Sequence, residues 1–175
     1  PRGGTYQVGD SLGIYTYDGK KIHPYGEIIL PTGVAVIREQ ATTDRYVARV
    51  VKMYGEIHRG HMLLPLEPFS PVEAGDAQPG EGVQGEIVGW PEFERLKGLN
   101  DQLLMNRGTS DGVQIGDLFE IRRPIDDDRG VLVPVVVGRG RVVHVGQNTA
   151  TLKVVLVTGP DIPVGSETVQ IAKMP

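Results

Sequence analysis

The sequence predicts an all-β protein built from two small, related β-barrel domains. Three observations lead there. Short segments with apolar residues at alternate positions follow one another closely along the chain. Turn formers punctuate them, with 24 Gly and 13 Pro in 175 residues. A pattern from the N-terminal half also recurs in the C-terminal half. Val, Ile and Leu supply most of the apolar side chains, and the branched ones favour strands.

The first group of strand-like segments covers residues 12–17, 26–30, 34–39 and 46–53. A second group follows at 83–88, 101–106, 118–123, 131–137, 139–145, 149–157 and 168–172. Between them stand Asp18-Gly19, Pro31-Thr32-Gly33, Arg129-Gly130 and Gly146-Gln147-Asn148, chemistries that supply positive φ or preset it. Several short strands with regular turns read as a sandwich or barrel. Helical periodicity is confined to 92–99, where Gly98 would end a turn or two of helix.

The repeat carries the domain organisation. Val8-Gly9-Asp10, followed by Leu12 and Ile14, matches Ile115-Gly116-Asp117, followed by Phe119 and Ile121. Residues 34–37 match 141–144, 44–51 match 148–155, and Glu56-Ile57-His58-Arg59-Gly60 matches Asp161-Ile162-Pro163-Val164-Gly165. Each copy of about 60 residues has the size of a closed or half-closed barrel of the SH3, OB or Sm-like kind. A Gly-Asp turn opens each copy, so Val8-Gly9-Asp10 reads as a structural turn and not a phosphate loop. The expected division is a first barrel at 1–68, a Pro/Gly-rich linker carrying the first strand of the next domain at 69–91, and a second barrel at 92–175.

The composition narrows the function classes. A net charge of −4 without a basic block lacks the footprint of nucleic-acid or anionic-membrane binding. The absence of Cys removes disulfides, thiolate catalysis and Cys-ligated metals, and suits an oxidising compartment. No apolar run reaches the roughly 20 residues needed to span a bilayer. The chain opens on Pro1 with no signal sequence, the pattern of a processed product or of a fragment with a signal, anchor or further domain upstream.

Constellations for chemistry are sparse. His58 and His61 lie three apart with only Glu56 nearby, short of a metal set. Asp126-Asp127-Asp128 falls at a hairpin tip among Arg122, Arg123 and Arg129 and reads as a solvated loop. Glu92 and Glu94 flank Phe93 as surface charge. Ser11, Ser70, Ser110 and Ser166 have no nucleophile-elbow context. Gly138-Arg139-Gly140 inside a strand pair marks a bulge. No catalytic residue, metal site or cofactor is therefore expected. The aromatic residues are the candidate partner contacts: Tyr15, Tyr17, Tyr25, Trp90 and Phe93.

The run from Asn106 through Gly108, Asp111-Gly112-Val113 and Gly116-Asp117 to Ile121 resembles the C-terminal domain of the flagellar assembly protein FlgT. The likeness extends over 83–175. The whole chain is similar to the region that follows LysM domains in bacterial envelope proteins, with 25–68 matching through Pro31-Thr32-Gly33 and Leu64-Pro65-Leu66-Glu67-Pro68-Phe69. No LysM motif lies within it. The resemblance implies a non-catalytic module in the periplasm or otherwise outside the cytoplasm, associated with membrane or wall. Such a module would be a membrane-extrinsic scaffold or adaptor contacting envelope or membrane-complex proteins, without spanning the membrane. The alternative is a peptidoglycan- or glycan-binding module, for which aromatics lined along one groove would be the signature.

Overall fold

The computed structural model describes residues 5–66, 76–91, 98–126, 130 and 132–174. It is all-β, with no α-helix among the described residues. The chain divides into two compact units, Pro1–Ser70 and Pro71–Pro175.

The first unit is a four-stranded antiparallel sheet. Its strands are β1 (Ser11–Ile22), β2 (Gly26–Thr42), β3 (Arg45–Met53) and β4 (Met62–Pro65), in the order β3-β2-β1-β4. Its core is Leu12, Ile14, Ile28, Val34, Ala35 and Ile37. The second unit comprises β5 (Gln78–Pro79), β6 (Gln84–Gly89), β7 (Gln102–Met105), β8 (Leu118–Asp126), β9 (Leu132–Val145), β10 (Ala150–Val157) and β11 (Glu167–Lys173). The ring β11-β6-β7-β10-β9-β8 closes because β11 also pairs with β8, and β5 continues the β6 edge of β11. Closure removes the sheet edges. It also encloses a core of Ile87, Leu103, Met105, Phe119, Ile121, Val142, Leu152 and Val154, each at most 1% exposed.

The repeat is visible bond by bond. In the first unit Gly9 N–H donates to the Ile37 carbonyl (2.9 Å) and Ile37 N–H to the Asp10 carbonyl (2.9 Å). In the second, Gly116 donates to Val142 (2.8 Å) and Val142 to Asp117 (2.9 Å). Gly9 and Gly116 have φ of 102° and 97°, a conformation that side chains other than Gly disfavour. The Asp10 carboxylate accepts from Gln7 N–H at 2.8 Å, and Asp117 from Gln114 N–H at 2.9 Å. Strand registers correspond too. Leu12 faces Ala35 as Phe119 faces Gly140, and Val36 faces Arg49 as Arg141 faces Lys153. Thus β1, β2, β3 and β4 have the places of β8, β9, β10 and β11.

Several sequence expectations shift here. Pro31-Thr32-Gly33 does not end a strand: it is a bulge inside the continuous β2. Gly138 lies at the equivalent bulge in β9, which merges the two segments expected at 131–137 and 139–145. The carbonyl freed at Thr32 accepts Tyr54 N–H and Gly55 N–H, and that of Val137 accepts Thr158 N–H and Gly159 N–H. Bulges of this sort bend a strand and tighten its twist. Asp18-Gly19 likewise lies within β1, with a register irregularity between Tyr17 and Lys21, and the reversal comes at Ile22–Gly26. The Ile37 counterpart is Val142, so the 34–37 match to 141–144 moves by two residues. The expected helical turn at 92–99 falls largely outside the described residues. β6 (Gln84–Gly89) lies in the 69–91 stretch expected to carry the first strand of the next domain, and it pairs with β11 and β7.

Candidate functional site

Of the aromatic candidates, Tyr15, Tyr17 and Tyr25 belong to the first unit and Trp90 to the second. Tyr15 and Tyr17 are half-buried on β1. The Tyr15 ring lies over Gly13, where an added Cβ would come within 2.5 Å of it, so Tyr15 covers a bare patch of sheet. Tyr17 sits beside a Lys21–Glu27 ion pair (2.6 Å) and hydrogen-bonds to Glu27. Lys21 holds the Glu27 carboxyl below its ordinary range, and Glu27 raises Lys21 in turn. Tyr25 is 40% exposed in the β1–β2 turn. Trp90 packs against the core of the second barrel. Phe93 lies outside the described residues, as do Glu92, Glu94, Asp127 and Asp128.

The ionisable groups that looked capable of chemistry are engaged in structure. His58 Nε2 meets Glu56 at 3.0 Å, while His61 Nδ1 meets the buried Thr32 hydroxyl at 3.2 Å. Among the described residues no three potential ligands converge as a metal site would require. Glu120, with its side chain 14% exposed, is bound by Arg122 and Arg139 at 2.9 Å each. The Arg122 hydrogen bond leads in pulling the Glu120 carboxyl below its usual range, against burial, with Arg139 adding to it. Asp117 is fully buried and accepts from Gln114 N–H (2.9 Å), Gln170 Nε2 (2.8 Å) and Met174 N–H (3.1 Å). Gln170 Oε1 then accepts from Glu81 N–H at 3.1 Å. This chain ties β5, β8 and β11 together.

The outer wall of the second barrel offers a different kind of surface. Strands alternate their side chains, so where Val142, Leu152 and Val154 point inward, Arg141, Val143, Lys153 and Val155 point out. A shallow groove of about 450 Å³ runs between them and the turn at Leu99-Asn100. That turn is fixed to β10: Asn100 N–H donates to the Val154 carbonyl, and Val154 N–H donates to the Asp101 carbonyl, both at 2.9 Å. Leu99, Val143 and Val155 are 62%, 40% and 41% exposed. Arg141 and Lys153 face each other directly across the β9–β10 ladder, and no ion pair engages either among the described residues. Like charges placed opposite repel by a few tenths of a kcal/mol to about 1 kcal/mol, which a bound carboxylate would relieve. Sequence reasoning passed over this surface. The one available signal was Val on the outward phase of both strands, next to a cation on each.

No protein-family model matches the chain, and no curated protein matches it. Among the described residues no helix is long and apolar enough to cross a membrane.

Proposed function

We propose that the protein is a non-catalytic structural adaptor acting outside the cytoplasm, binding protein partners and helping to hold an envelope or membrane-associated complex together. The observation that carries this reading is the Leu99–Val143–Val155 groove with Arg141 and Lys153 beside it. Its apolar floor and unneutralised cations complement a partner segment that presents an aliphatic side chain next to a carboxylate. The rigid barrel wall beneath presents both features without ordering a loop on binding. Location outside the cytoplasm is supported by the absence of Cys and by the resemblance to LysM-associated envelope regions.

Cross-linking in the native envelope tests the proposal. A photoreactive residue at Val155 should give a discrete adduct that disappears when Arg141→Glu and Lys153→Glu are combined. Retention on purified sacculi that survives the double charge reversal, with no protein adduct at Val155, would support the glycan-binding alternative and sink this one.

A further inference from the structure

The two units differ at one flank. In the second, β7 pairs with residues 150–153 of β10, and β6 pairs with residues 167–169 of β11. In the first, β3 and β4 are the outermost strands, and among the described residues no strand pairs with the far edge of either. The side chains register the difference. Leu152 and Val154 are 0% and 1% exposed, whereas their counterparts Ala48 and Val50 are exposed, Val50 at 42%. Of the two open edges β3 is the better template. β4 is four residues long and includes Pro65, which has no N–H to donate.

The backbone groups on the open side of β3 can be assigned. Ile37 turns its N–H and C=O toward the Gly9-Asp10 turn that leads into β1. Its facing residue Ala48 therefore turns its own N–H and C=O away from β2. Tyr46 and Val50 do the same by the period of two. In the closed barrel Val154, the counterpart of Val50, uses these same groups to bond Asp101 and Asn100 at 2.9 Å each.

The side chains of β3 fit a second copy of the same strand. A symmetric antiparallel pair sets one residue opposite its own copy, on a twofold axis. Centring the pair on Val47 brings Arg45 against Arg49, and centring it on Arg49 brings two Arg49 side chains together. Like charges directly opposite destabilise both registers. Centring on Ala48 removes both clashes. Tyr46 then faces Val50 of the second copy, twice over, and aromatic–β-branched pairs of this kind are stabilising. Asp44, in the β2–β3 turn, comes beside Lys52 of the second copy, again twice. Asp44 and Lys52 are exposed, and among the described residues no ion pair engages either. Ala48 has the smallest side chain of the strand and presents both backbone groups to its copy. Tyr46 is already held by Tyr6, whose ring stands edge to face at 5.7 Å.

We propose that two copies of this chain associate through their β3 edges, antiparallel and centred on Ala48, so that their four-stranded sheets run on as one. The complementary Asp44–Lys52 contacts and the Tyr46–Val50 pairs select this register over its neighbours. The inference rests on the first unit alone and stands apart from the groove on the second barrel.

Exchanging charges between copies tests it, with association followed by analytical ultracentrifugation at low salt. The unaltered chain should dimerise reversibly. Asp44→Lys would set two Lys–Lys contacts in the dimer and Lys52→Asp two Asp–Asp contacts, so each alone should raise the dissociation constant at least about 10-fold. Mixed in equal amounts, the two variants should pair as tightly as the unaltered chain, because every contact again joins Lys to Asp. The chain has no Cys, so Ala48→Cys adds a single thiol. Its disulfide-linked dimer should form faster than those of Val47→Cys and Arg49→Cys. A chain that stays monomeric up to about 1 mM overturns the proposal. So does failure of the two charge variants to associate on mixing, or faster linkage at position 47 or 49. Hydrogen-exchange protection of the Tyr46, Ala48 and Val50 amides that does not rise with concentration also overturns it, and would assign the edge to the chain's own residues.

Discussion

Replacing Asp117 with Ala isolates what burial does to a turn that the chain uses twice. Asp10 and Asp117 make the same backbone bond at the same step of the fold, but Asp10 is exposed and Asp117 is fully buried with two further donors on its oxygens. Truncating Asp117 leaves the Gln170 amide and two backbone N–H groups without their acceptor. An unsatisfied buried donor costs about 1–3 kcal/mol, so after partial relaxation the loss should be about 3–4 kcal/mol. Asp10→Ala removes one exposed turn bond and should cost about 0.5–1 kcal/mol. The single tryptophan, Trp90, packs on the second core, so its fluorescence follows that unit during urea unfolding. With a slope of about 1–1.5 kcal/mol per M, the Asp117→Ala midpoint should fall by about 2–4 M. Asp117→Asn, which keeps the volume but only one acceptor oxygen, should recover part of the loss. Asp10→Ala should leave the Trp90 transition in place and weaken only the first unit, read by circular dichroism. If Asp117→Ala shifts the midpoint by no more than about 0.5 M, the buried carboxylate is not holding β5, β8 and β11 together, and the reasoning fails.

Other outcomes follow from the same geometry. The Glu120 carboxyl titrates below its unfolded value, so its stabilisation is present above about pH 4.3 and disappears as pH falls through the lowered folded value. Glu120→Gln should therefore cost about 1 kcal/mol at neutral pH, and the gap to wild type should close in an acid unfolding series as pH falls through the lowered folded value. Val154→Ala should cost about 2 kcal/mol by chemical denaturation, while Val50→Ala, its exposed counterpart, should cost under about 0.5 kcal/mol. A Cβ at Gly33 would meet the Lys52 carbonyl at 2.5 Å, and one at Gly138 the Leu156 carbonyl at 2.8 Å. Each Ala substitution there should lower thermal stability by about 1–3 kcal/mol, because the obstacle is backbone. Lys153→Glu alone should place opposite charges across the β9–β10 ladder, leaving stability equal or slightly raised while weakening partner cross-linking at Val155.

Much of the fold was legible because its signals are local. Gly9-Asp10 and Gly116-Asp117 advertise the same turn through a residue that accepts positive φ and a side chain that caps its own loop. The alternation Ala150, Leu152, Val154 fixed a strand with one buried face. The bulges were not legible as such: Pro31-Thr32-Gly33 and Gly138 carry residues that serve equally well in turns, and only the partner strand decides between the two outcomes. The two-residue slip at Val142 has a related cause. Hydrophobic alternation has a period of two, so a shift of two keeps every side chain on its own face and leaves the pattern unchanged. The open flank of the first unit could not be read from composition, since Ala48 and Val50 look as core-like as Leu152 and Val154. The groove was hidden for the opposite reason: Val143 and Val155 are ordinary strand residues until both are seen on an outer wall with a cation beside each.

Cross-strand proton–proton contacts in solution bear most directly on whether both halves are copies of one β unit. Nuclear Overhauser effects between the backbones of Leu12 and Ala35 and of Ile14 and Gly33 should appear together with those between Phe119 and Gly140 and between Ile121 and Gly138. Finding the second set while the first is absent, or displaced to another register, would contradict the shared architecture.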